Sequence, residues 1–220
     1  MLDESLSVAT IDIFARLDTA AASRRIDRIL VQLPLESFAP RSLPYHVLIP
    51  VLSSAGRVDL GRALTERRNS EYPPSDSVER ARRRLAWLVQ DAELALGEGR
   101  TDEALRLTRE RGIVGCPECR ALNLGRAHDR AGAADSAIHW YSEFVRMPSP
   151  ERWGADKDGL YLAGTLERLA ELHEARGDRA LALDYTRRLL AMWTDPDPEL
   201  SRRVASARAR VTRLGGALDQ

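Results

Sequence analysis

Cys116 and Cys119, separated by Pro117 and Glu118, are the sharpest chemical signal in the chain and its only cysteines. Two thiols at this spacing can close a small disulfide or share a metal ion. Zinc would need two further ligands, and no second cysteine pair or finger-spaced histidine follows. A thioredoxin-like redox motif needs a strand feeding a helix, a context not visible here. The third reading is mechanical. Cys116 stands near a helix cap, Pro117 at the first helical position and Glu118 in the first turn, where proline and an acid are both favoured. A helix start, a reversible disulfide and a metal pair all remain readings of these two residues.

Other chemistry-bearing residues are sparse. His128 and His173 fall at equivalent places in two similar segments, which points to a shared packing slot rather than a metal site. His46 and His139 have no partner pattern, and no His-Glu-x-x-His occurs. Asp156-Lys157-Asp158-Gly159 looks like the start of a calcium loop, but Leu160, Tyr161 and Leu162 follow where further oxygen ligands are needed. There is no phosphate-binding glycine loop, no kinase His-Arg-Asp or Asp-Phe-Gly, and no Gly-x-Ser-x-Gly elbow. The expectation is a chain that is not an enzyme, with no catalytic residue, no cofactor and no metal.

Charge narrows the partners. Thirty-three basic residues balance 33 acidic ones, so neither nucleic acid nor an anionic membrane is the expected target. The run Arg80, Arg82, Arg83, Arg84 has Glu79, Asp91 and Glu93 nearby and reads as a solvated helix face. No stretch approaches the roughly 18 apolar residues of a membrane span. Met1-Leu2-Asp3-Glu4 is acidic where a secretory signal is basic. A cytoplasmic location without membrane insertion is expected.

The elements that must position these residues are all helical. Apolar residues recur at helical spacing in eleven segments: about 3–16, 19–33, 43–55, 58–69, 76–96, 104–112, 118–130, 135–147, 160–175, 179–193 and 199–214. Pro50 should bend or shorten the third. Thr101 is placed to cap the sixth. Pro73-Pro74, in the loop 69–77, marks a candidate subdomain seam. In the last segment, Leu200, Val204, Ala207, Val211 and Leu214 form an inward stripe, with Arg202, Arg203, Arg208, Arg210 and Arg213 on the opposite, outward face. No segment alternates with period two, so no sheet is predicted.

Four times a glycine is followed five residues later by a small residue: Gly56 to Gly61, Gly99 to Ala104, Gly132 to Ala137, and Gly177 to Ala182. A glycine just past a helix can take the left-handed conformation that stops it. A small residue early in the next helix lets two backbones approach. Repetition of this device predicts an all-α solenoid of stacked antiparallel helix pairs.

The stretch from Cys119 to Pro148 resembles a tetratricopeptide repeat. Leu124-Gly125 supplies the Leu-Gly pair, and His128 stands at the first-helix aromatic position. Gly132 marks the turn, Ala137 the small contact, Tyr141 the second-helix aromatic and Pro148 the close. Ala121 departs from the pattern, replacing its large residue. A second copy runs over Leu166, Leu169-Ala170, His173, Gly177 and Ala182, and weaker copies begin near Leu88 and Leu48. The marker glycines stand 43, 33 and 45 residues apart, against a family period of about 34, so the array is degenerate and clearest over 85–196. The resemblance implies an N-terminal helical extension (1–42), repeats (43–196) and a C-terminal capping helix (197–220). The chain is also similar to tetratricopeptide regions of bacterial multi-domain signalling proteins, among them eukaryotic-like serine/threonine kinases and transcriptional regulators. Cys116-Pro117-Glu118-Cys119, Gly125-Arg126-Ala127-His128-Asp129, Asp135-Ser136-Ala137-Ile138 and Glu174-Ala175-Arg176-Gly177-Asp178 carry that likeness.

In that family the first helices of successive pairs line a concave groove that holds a peptide. Carried over, the groove would present Val89, Glu93, Leu122, Asn123, Arg126, Asp129 and Arg130, continued by Glu167, Glu171 and Glu174. The resemblance implies a non-catalytic interaction module with a protein or peptide partner and possible homo-oligomers. The alternatives are a regulatory or sensory arm of a bacterial signalling system, or a thiol redox or metal-binding protein centred on Cys116 and Cys119.

Overall fold

The computed structural model describes residues 2–14, 16, 18–112, 117–148, 158–194, 196, 198 and 200–217. Among them are eleven α-helices and no strand. They are α1 (Leu2–Phe14), α2 (Thr19–Gln32), α3 (Tyr45–Ser54), α4 (Val58–Glu71), α5 (Ser77–Gly97), α6 (Thr101–Arg111), α7 (Pro117–Arg130), α8 (Ala134–Arg146), α9 (Ala163–Ala175), α10 (Arg179–Met192) and α11 (Ser201–Arg213). A short 3-10 turn (Leu35–Ser37) and a π-turn (Asp158–Leu162) precede α3 and α9. No helix of the described residues is long and apolar enough to cross a membrane.

The glycine bends explain most helix ends. Gly56, Gly99, Gly132 and Gly177 all have φ between +71° and +80°. At each, the glycine N–H and the N–H after it reach back to the closing turn. Gly132 donates to Asp129 C=O (3.0 Å) and Ala133 to His128 C=O (2.9 Å), and the other three repeat this pattern. That is the Schellman closure, which satisfies carbonyls the helix would otherwise leave open. Gly215 ends α11 in the same way. At the bend after α5, Arg100 donates to Ala95 C=O and becomes the residue ahead of α6. Thr101 therefore lies inside the helix and makes no side-chain cap, contrary to expectation. Among the described residues, the side-chain caps that form are Asp18, Asp76 and Asp178, which accept from the N–H groups of Ala21, Glu79 and Leu181.

The small residues after the bends are contact points. Ala104, Ala137 and Ala182 are buried. A side chain on Gly61 would meet Ser53 Oγ at 2.8 Å. Consecutive helices so joined pack as hairpins: α3 with α4, α5 with α6, α7 with α8 and α9 with α10. Hairpins then pack on one another through α3 with α5, α6 with α7, and α8 with α9, and α11 closes on α10. The first two helices also pack together, and α1 lies against α3. Leu6, Ile26, Leu48 and Leu52 are the centre of one apolar core, Leu88, Ala95 and Leu124 of a second, and Phe144, Leu166 and Leu189 of a third.

Helix α3 spans Tyr45–Ser54 with Pro50 inside it, a shorter helix than the segment 43–55 read from the sequence. Two local expectations are corrected. The loop before α5 is not a seam, because α3 packs on α5 across it and Tyr72 sets its ring edge-on to both Tyr45 and Trp87. The arginines of α11 are not all outward. Arg203 and Arg210 are largely covered and turn toward carboxylates of α9, while Arg202 and Arg208 are exposed.

Candidate functional site

Residues of α1, α3, α5, α7, α8 and α9 come together around two neighbouring cavities. The packing of α1 on α3 brings Phe14, at the end of α1, to Tyr161 in the turn ahead of α9, with ring centroids 4.9 Å apart. The guanidinium of Arg126, from α7, stands 5.1 Å from the Phe14 ring. Two cavities flank this cluster. The larger, about 420 Å3, is bounded by Phe14, Leu122, Asp129, Arg130, Tyr141, Tyr161 and Arg168. The smaller, about 280 Å3, is bounded by Val47, Val89, Glu93, Arg111, Asn123 and Phe144, with Phe14, Arg126 and Tyr161 again on its wall.

Ion pairs set the floor. Glu93 is buried and accepts from Arg126 Nη1 at 2.6 Å, while Arg126 Nη2 reaches Ser54 Oγ at 3.2 Å. Burial works against the Arg126 charge, but Glu93 outweighs it and holds the guanidinium protonated. Asp129 receives both Nε (2.7 Å) and Nη2 (2.8 Å) of Arg168, whose Nη1 donates to Glu171 at 2.7 Å. Burial, followed by the Asp129 charge, raises the Tyr141 phenol above its ordinary value, and burial does the same for Tyr161. Both rings therefore present O–H donors at neutral pH. Gly125 makes this possible, since the Tyr141 ring lies where its side chain would be.

The residues inferred from the sequence separate into two groups. Val89, Glu93, Leu122, Asn123, Arg126, Asp129 and Arg130 all bound one or both cavities. Glu167, Glu171 and Glu174 bound neither. Glu167 pairs with Arg203, Glu171 with Arg210, and Glu174 with Arg210 (3.0 Å) and Arg213 (2.7 Å). They fasten α9 to α11, because the covered arginines of α11 need carboxylate partners there. Phe14, Tyr161 and Arg168 were not singled out as site residues from sequence, and Tyr141 entered only as the second-helix aromatic of the repeat pattern. The helical period alone places Phe14 in an apolar stripe and says nothing of a partner so distant in the chain.

Cys119 lies in the first turn of α7, half-buried, on the wall of the smaller cavity, and is disulfide-bonded. Cys116 lies outside the described residues. Pro117 and Glu118 open α7 as expected. His173 is buried and stacked on Tyr185 at 5.5 Å, and His128 is half-buried. Burial depresses both imidazoles below their ordinary pKa. No family model matches this chain, and no curated protein is significantly similar to it.

Proposed function

We propose that the chain is a non-catalytic interaction module: a tetratricopeptide-like α-solenoid that receives a peptide or partner helix along the face lined by its first helices. The observation that carries this reading is the pair of cavities on either side of Phe14. An aromatic ring borne by a helix already fits that face, and space remains on both sides of it. Volumes near 300–400 Å3 suit one or two side chains of a bound segment.

The polar groups give the partner its chemistry. Of the four arginines that bound the two cavities, Arg126 and Arg168 are committed to carboxylates of the chain. Arg130, exposed beside the larger cavity, and Arg111, half-buried beside the smaller, make no ion pair with any described residue. A segment with an aromatic anchor and flanking carboxylates complements both. Glycine bends and tightly packed hairpins hold the face in one shape, which lowers the ordering cost of binding.

Fluorescence polarisation against acidic peptides with a single aromatic residue tests this, with charge-scrambled peptides as controls. The expected result is binding that falls at least tenfold in Arg130→Glu and Arg111→Glu, with helicity and melting temperature retained. No binding by any peptide, or equal binding by both variants, overturns the reading. Arg126 is unsuited to such a test despite its position. Reversing its charge would leave Glu93 facing another buried carboxylate, so lost binding would report unfolding.

A further inference from the structure

A third cavity, about 440 Å3, is bounded by α4, the loop after it, α5 and α6. Six arginines bound it: Arg68, Arg80, Arg83, Arg84, Arg100 and Arg106. Only two carboxylates, Asp91 and Glu103, share its walls. We propose that this cavity binds a compact polyanion carrying linked phosphate groups.

The floor is built rather than incidental. Arg68 is only 2% exposed. It donates to Gln90 Oε1 and Asp91 Oδ1, both at 2.8 Å, and its guanidinium lies 4.3 Å from the centre of the Trp87 ring. These contacts fix one cation at the base, with little freedom left to lose on binding. Around the rim the arginines are more exposed. Arg84 and Arg106 share Glu110, and Arg100 is braced by Glu98 and Glu103. Exposed pairs of this kind contribute little. Each guanidinium carries five donors, so bracing by a carboxylate leaves others to face the cavity. Arg80 makes no ion pair with any described residue.

A polyanion suits this arrangement better than a single ion. The space exceeds one phosphate, and the cations come from three helices around it. Linked phosphates would take two or more guanidiniums in forked geometry, the strongest way arginine holds an oxyanion. The linked phosphates could come from an inorganic chain or from the tail of a nucleotide, and the chemistry recognised is the same. This inference stands apart from the peptide-binding face and does not depend on it.

Isothermal titration calorimetry with tripolyphosphate, pyrophosphate, phosphate and ADP, at ionic strength held constant with potassium chloride, tests it. The expected order is tripolyphosphate tighter than pyrophosphate and phosphate weakest. ADP matching pyrophosphate assigns recognition to the phosphates alone, and ADP binding more tightly assigns it to a nucleotide. The double variant Arg80→Ala/Arg84→Ala, whose side chains are exposed, should bind tripolyphosphate at least tenfold more weakly. Arg130→Ala, outside this cavity, should bind it unchanged. A rise in the melting temperature of the unaltered protein with tripolyphosphate gives a readout independent of the variants. No heat and no melting shift with any of these anions overturns the proposal, as does undiminished binding by the double variant.

Discussion

The aromatic rings of Phe14 and Tyr161 meet at 4.9 Å, tilted by 54°, and this contact ties the first helix to the turn that opens α9. Every helix between them can keep its local structure without it, so the contact belongs to tertiary packing. Both rings are half-buried. Aromatic pairs of this kind contribute about 0.5–1.5 kcal/mol beyond the area they bury. A double-mutant cycle on Phe14→Ala and Tyr161→Ala, followed by urea unfolding, should give a coupling energy in that range. A coupling near zero would show that the two rings are neighbours without being partners.

Gly125 and Tyr141 make a sharper prediction, because two effects oppose each other. Alanine is favoured over glycine inside a helix by about 1 kcal/mol. A Cβ at position 125, however, would lie 2.5 Å from Tyr141 Cδ1 and 2.7 Å from Cε1. The ring is buried, and the clash falls on its near edge, Cγ included, rather than on the far end of a flexible side chain. Overpacking of this kind costs about 1–3 kcal/mol, so Gly125→Ala should be net destabilising. In a Tyr141→Ala background the clash disappears, and the same change should become neutral or stabilising. Unchanged behaviour in both backgrounds would remove the ring as the cause.

The order of the helices was legible in the sequence because each bend carries its own local signal. A glycine that must take positive φ, followed by a small residue at a packing contact, leaves a trace within six positions. Contacts made by long side chains leave none. Arg203 and Arg210 look like an outward face on a helical wheel, yet their stems lie along α11 and their heads reach Glu167, Glu171 and Glu174 on α9. Only the placement of α9 beside α11 decides that direction. The same holds for the candidate site. The family resemblance pointed to Glu93, Arg126 and Asp129 on α5 and α7, whereas Phe14 and Arg168 enter through packing between distant segments. The cap before α6 was misplaced by one residue for a local reason, since the Schellman closure of α5 recruits Arg100.

Gly132 separates backbone strain from steric clash. Its φ is +71°, and no heavy atom lies within 4 Å of where a side chain would start. Any cost of substitution there is therefore conformational. Left-handed backbone costs an L-residue roughly 1–2 kcal/mol. The loss of chain entropy in the unfolded state returns about 0.4–1 kcal/mol for Gly→Ala. Gly132→Ala should destabilise by about 1 kcal/mol, and Gly132→Asn by less, because asparagine tolerates this region better. Chemical denaturation of the two variants checks the order. Asparagine costing more than alanine would point to a contact at this bend instead.

Buried histidines and hydrogen-bonded carboxylates both contribute to the pH dependence of stability, in different windows. His173 and His128 have folded-state pKa values depressed by burial, with Asp178 partly opposing the shift at His173. The unfolded chain then binds the proton more readily than the folded one. The stability linked to these residues is complete above about pH 6.5 and is lost as pH falls through their folded values. Glu71 behaves in the same sense at lower pH. Burial alone would raise its pKa, but donation from Arg67 Nε (2.6 Å), the Arg41 N–H (2.8 Å) and the Tyr45 hydroxyl (2.7 Å) outweighs that and lowers it to about 2. Its contribution is present above its ordinary value of 4.5 and is lost toward pH 2. Melting temperature measured from pH 8 to 3 should hold level, begin to fall near 6.5, and fall again below 4.5. His173→Gln should make the upper limb shallower and Glu71→Gln the lower, whatever each does to stability at neutral pH. A profile level from pH 7 to 5 in the unaltered protein would show that neither imidazole is held neutral by the fold.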